Sequence, residues 1–112
     1  LAHGKIAAIV MKRDFDIEDD DIINAVSYHT TGRAGMSLLE EIIYLADAIE
    51  PNRAYPGVEK LRETAQTDLD KACLLSLSNT IDFVRSSGKY LDEETILAKE
   101  YLERKIRKGE CK

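Results

Sequence analysis

Apolar residues recur every three or four positions along most of this chain, and no stretch alternates apolar and polar like a strand. The pattern predicts six helices. The first covers residues 1–13. The second follows the acidic run DIEDDD and extends to about His29; acidic residues at a helix start complement its dipole. Ser37 and Glu40 form an S-x-x-E capping pattern directly before an apolar run, so a third helix starts there. It ends near Ile49, because Pro51 disfavours helical backbone at Glu50. The segment EPNRAYPG is a loop. A short fourth helix covers 58–66. Asp68 caps a fifth over 69–86, which Ser87 and Gly88 close. The sixth covers 92–107.

The helical stripes divide the chain into two kinds of surface. In the C-terminal half, Leu69, Cys73, Leu77, Ile81 and Val84 share one face, as do Ala98, Leu102 and Ile106. Such stripes are core. In the N-terminal half, polar residues share the apolar faces. His3 precedes Ile6, Ala7 and Val10; Ile22 and Val26 lead to His29; Leu39 and Ile43 lead to Asp47. Asp47 stands among Ile42, Ile43, Leu45, Ala46, Ala48 and Ile49. An ionised carboxylate buried there is costly unless paired or metal-bound.

Each residue alone has a plain explanation. A core histidine commonly bonds a carbonyl, and His29 near a helix C-terminus favours imidazolium. Asp47 can cap its helix or bridge to Arg53. Together they point elsewhere. Both histidines of the chain and one carboxylate lie on faces that antiparallel packing brings together, and bundles build metal sites from inward-facing histidines and carboxylates. These residue types suit Zn, Fe, Mn or Ni. The TTGR loop after His29 adds Thr30, Thr31 and Arg33, and EPNR after Asp47 adds Asn52 and Arg53. A guanidinium binds phosphate bidentately.

Composition narrows the class. The 112 residues suit one domain, and 44% hydrophobic with 33% charged residues describes a globular protein. No apolar run approaches bilayer-spanning length, and a membrane role is not expected. The formal charge of -5 disfavours DNA or RNA duplex binding, which rests on neutralising phosphates. Cys73 is expected to be buried and Cys111 lies in the charged tail. Neither has metal-type spacing, so a reducing, cytoplasmic compartment is the simpler expectation.

The segments LAHGKIAA, YHTTGRAGMSLLEEIIYLADAIEPNR and YPGVEKLRETAQTDLDKA resemble the YqeK family, a bacterial branch of the HD-domain phosphohydrolases. The resemblance runs from Leu1 to about Leu102. It implies an all-α, HD-domain-like helical bundle with a two-metal centre, commonly iron. It implies hydrolysis of diadenosine tetraphosphate, or a related nucleotide phosphate, to ADP by a metal-activated hydroxide. Carried over by motif, His3 and His29 hold one metal and Asp47 the other, with His29 and Asp47 as catalytic residues. Thr30, Thr31, Arg33, Asn52 and Arg53 then lie near the polyphosphate.

The chain departs from the family pattern. The family's first histidine and its His-Asp doublet are absent, since Gly4 follows His3 and Thr30 follows His29. The sequence therefore resembles the C-terminal three-fifths of a family member, and the chain by itself is expected to hydrolyse little. It opens on Leu1, which reads as a piece of a longer protein. Missing helices would bare apolar surface and favour a homodimer. The alternative is a helical module that binds nucleotide or metal without turnover.

Overall fold

A computed structural model describes residues 9, 13 and 19–110. Among them are five helices and no strand: α1 (Asp20–Ser27), α2 (Leu38–Ile49), α3 (Val58–Ala65), α4 (Leu69–Ser87) and α5 (Glu93–Glu110). They match the second to sixth expected helices. The first expected helix, with His3, lies outside the described residues apart from Ile9 and Arg13, and so does Cys111.

The punctuation signals act as the sequence implies. Asp19 accepts from the backbone N–H groups of Asp21 and Ile22, at 2.9 and 3.2 Å, and opens α1. Ser37 and Glu40 close a reciprocal capping box on α2, at 3.2 and 3.3 Å. Asp68 accepts from the Lys71 N–H at 3.1 Å. Gly88, with φ 71°, takes the left-handed conformation that ends α4. Glu50 is extended before Pro51 and terminates α2.

Helix α4 is the centre of the assembly and packs against α2, α3 and α5, while α1 packs against α2. The core joins Tyr44 and Leu45 of α2, Leu61 of α3, Ala72, Cys73 and Leu77 of α4, and Ala98 and Leu102 of α5. The C-terminal stripes thus point inward as expected. Burial of this apolar surface is the main stabilising term.

Helix α2 departs from expectation. Its sequence LLEEIIYLADAI is apolar on more than one side. Tyr44 and Leu45 enter the core, whereas Ile42, Ile43 and Leu38 are exposed. The expected Leu39–Ile43–Asp47 face is therefore not the core face. Two acidic residues, Glu40 and Glu41, are buried in its place. No described helix is long and apolar enough to cross a membrane.

Candidate functional site

The cavity between α2, α4 and the loops that follow α1 and α2 has a volume of about 190 Å³. Its polar lining includes His29, Thr30, Asp47, Arg53, Ser76 and Thr80, with Tyr44 and Tyr55 beside them. His29 and Asp47, 18 positions apart, meet here because α1 packs along α2 and the intervening loop is tied down at several points.

That loop is fixed from inside. Gly32 has φ 72°, and a Cβ there would lie 3.3 Å from Leu77 Cδ2 and 3.5 Å from Ala98 Cβ. Only glycine combines that conformation with that approach. The Thr31 carbonyl accepts from the buried Thr95 hydroxyl at 2.9 Å. Arg33 forks onto Glu40, with Nε donating to Oε2 at 2.6 Å and Nη2 donating to Oε1 at 2.5 Å. Glu40 is nearly inaccessible, so this pairing is what allows its burial. The Glu40 contact holds the Arg33 guanidinium above its ordinary pKa.

The groups at the cavity face open chemistry. His29 Nδ1 lies 2.7 Å from the Val26 carbonyl oxygen, an acceptor, so Nδ1 carries the proton. The Nε2 lone pair is thereby left for a ligand. Asp47 does not sit in an apolar burial site. Its carboxylate is half exposed and pairs with Arg53 Nη2 at 3.4 Å, while Arg53 Nε donates to the Asp47 carbonyl at 3.1 Å. The bridge to Arg53 is the plain alternative that the sequence allowed. Tyr44 and Ser76 share a hydrogen bond of 3.2 Å at the cavity floor. Burial pushes the Tyr44 hydroxyl up to about 12, so it is neutral.

Of the residues singled out in the sequence, His29, Asp47, Thr30 and Arg53 line one cavity. Three others are not among its lining residues. Arg33 is engaged by Glu40, Thr31 is buried with its hydroxyl on the Gly32 carbonyl at 3.0 Å, and Asn52 is exposed on the following loop. The described residues contain no cluster of three or more His, Cys, Asp or Glu placed to hold a metal.

Pattern reading missed Ser76 and Thr80, whose signal is a polar i, i+4 pair on α4 between core positions. It also missed Arg62. That side chain donates to the carbonyls of Ile49, Glu50 and Arg53, at 3.1, 2.9 and 3.0 Å. It neutralises the carbonyl end of α2 and holds the turn that presents Arg53.

Comparison with known proteins places this geometry. The fold is that of an HD superfamily hydrolase. A Clostridium acetobutylicum crystal structure, described as a predicted HD superfamily hydrolase involved in NAD metabolism, superposes with a TM-score of 0.90. It shares 50% identity, over 94% of this chain and 56% of that one. Within that class, the chain is homologous to the YqeK-type enzymes named symmetrical bis(5'-nucleosyl)-tetraphosphatase. The Bacillus subtilis protein is 43% identical over 102 residues, covering 91% of this chain and 55% of its own length. The Halalkalibacterium halodurans protein is 48% identical over 96 residues, covering 86% of this chain and 51% of its own length. The chain thus spans about half the length of the curated relatives it matches. No family model matches it.

Proposed function

We propose that this chain is the C-terminal portion of an HD-domain metal-dependent phosphohydrolase that cleaves diadenosine tetraphosphate symmetrically to two ADP. The observation that carries the reading is the convergence of His29, Asp47, Thr30 and Arg53 on one cavity. The named activity of the relatives supports the choice of substrate.

The residues fit a metal as part of a site. A neutral imidazole with Nε2 available and a half-exposed carboxylate are suitable donors for Fe, Mn, Ni or Zn. His29 and Asp47 would hold such ions, with His3 as a further donor, and the centre of two ions would supply an activated hydroxide and an electrophile for phosphate. Around them, the chain's own groups have separate tasks. The Val26 carbonyl orients His29. Arg53, half exposed beside Asp47, offers a positive charge to a phosphate oxygen. Thr30 offers a hydroxyl at the mouth. Two histidines and one carboxylate cannot enclose two ions, so turnover requires further ligands, and a second copy or further chain would have to supply them.

The test pairs metal analysis with product analysis. The longer protein containing this chain should carry about two ions and release ADP alone from diadenosine tetraphosphate. His29→Ala should abolish turnover and reduce metal content while the helical fold persists. ATP with AMP as products would overturn the symmetrical reading. Metal or nucleotide binding without product would favour the non-catalytic binding module.

A further inference from the structure

Away from the cavity, Glu41 lies near the start of α2 and is only 4% exposed. Its Oε2 is shielded from solvent and lacks a hydrogen-bond partner among the described residues. A carboxylate left in that state is strongly disfavoured. A protonated carboxyl is different, because its O–H is a donor. Asp70, in the first turn of α4, borders the same groove as Glu41. Lys105 of α5 reaches both Asp70 oxygens, at 3.3 Å to Oδ1 and 3.1 Å to Oδ2. That pairing sets an acceptor, held by Lys105, at the groove beside the Glu41 carboxyl.

Two other groups facing Glu41, the Cys73 thiol and Lys105, favour its charged form, and burial outweighs them. From α4, the buried Cys73 thiol adjoins it, and burial together with Glu41 and Asp70 pushes that thiol up, so it stays protonated. From α5, Lys105 is the facing charge, with Tyr101 beside it. Burial first, and then Asp70, raises the Glu41 carboxyl to about 7. Glu41, Asp70 and Lys105 border an open groove of about 420 Å³, so solvent reaches the edge of the cluster.

We propose that a protonated Glu41 faces the Asp70–Lys105 pair across the α2–α4 interface and forms with it a proton-operated clasp joining α2, α4 and α5. The clasp is independent of the hydrolase reading. Between Glu41's ordinary value of 4.5 and about 7, the folded chain holds a proton that the unfolded chain has released. Stability therefore falls as pH rises through that window and levels off above it. Helix α2 also carries Asp47, so the clasp and the cavity share one rigid element.

The test follows side-chain carboxyl carbons by NMR in the carbon-labelled chain from about pH 4 to 9. Glu41 should titrate near 7. In parallel, urea unfolding should show the folding constant of the unaltered chain falling on the order of a hundredfold between about pH 4.5 and 8, relative to Glu41→Gln. The amide cannot titrate. A Glu41 midpoint near 4.5, or the same pH slope in Glu41→Gln, would overturn the clasp. Should Glu41→Gln fail to fold, the NMR midpoint of the unaltered chain decides alone.

Discussion

The α4–α5 half and the outer side of α2 are both rich in apolar residues, yet they use them in opposite ways. In α4 and α5, one stripe per helix is apolar and that stripe is buried: Cys73, Leu77, Ile81, Ala98 and Leu102. In α2, apolar residues surround the helix, and part of them face outward while two glutamates are buried. A periodic pattern fixes the direction of burial only when the opposite face is polar. Where a helix is apolar all round, neighbouring charges decide its rotation. Arg33 draws Glu40 inward, and the Asp70–Lys105 pair receives Glu41.

Four measurements break or sharpen that contrast. The largest effect is expected in the core. Leu77→Ala should cost about 2–5 kcal/mol in urea unfolding, whereas Ile42→Ala on the exposed side of α2 should stay within about 0.5 kcal/mol. Equal costs would erase the distinction between the two regions. Next, Arg33→Ala strands Glu40 without its partner and should cost about 3 kcal/mol. Arg33→Ala together with Glu40→Leu should recover much of that loss, since the uncompensated charge goes with it.

Arg62→Ala should cost about 2 kcal/mol, because three carbonyls, of Ile49 and Glu50 at the end of α2 and of Arg53 in the following loop, lose a charged donor. Arg62→Lys should recover only part of this, as an ammonium lacks the planar fork. Faster amide exchange at residues 50–54 would locate the loss. The smallest stability effect is expected at the cavity. Asp47→Asn removes only an exposed ion pair, worth less than about 1 kcal/mol, while metal uptake by the proposed hydrolase should collapse. A large loss of stability with metal retained would reverse the roles assigned to this residue.

Much of this was legible in the sequence. Helix boundaries were readable because Ser37, Asp68, Pro51 and Gly88 act locally, on backbone groups a few residues away. The stripes of α4 and α5 were readable because each has a polar reverse side. The meeting of His29 with Asp47 was suggested by shared helical faces, although the premise of a buried Asp47 was not right: the carboxylate is half exposed beside Arg53. What escaped was long-range pairing. Nothing near Arg33 marks Glu40 as its partner rather than a phosphate, and nothing near Arg62 points to carbonyls 12 and 13 positions earlier. The burial of Glu41 depends on Asp70 and Lys105, from two other helices.

Gly32 joins the two regions mechanically. Its backbone rests on Leu77 and Ala98, three residues after His29. Adding a methyl group at Gly32, or bulk at Ala98, would lift the loop and tilt the imidazole off its bearing. Residues deep in the helical interior therefore set the aim of a side chain they never touch.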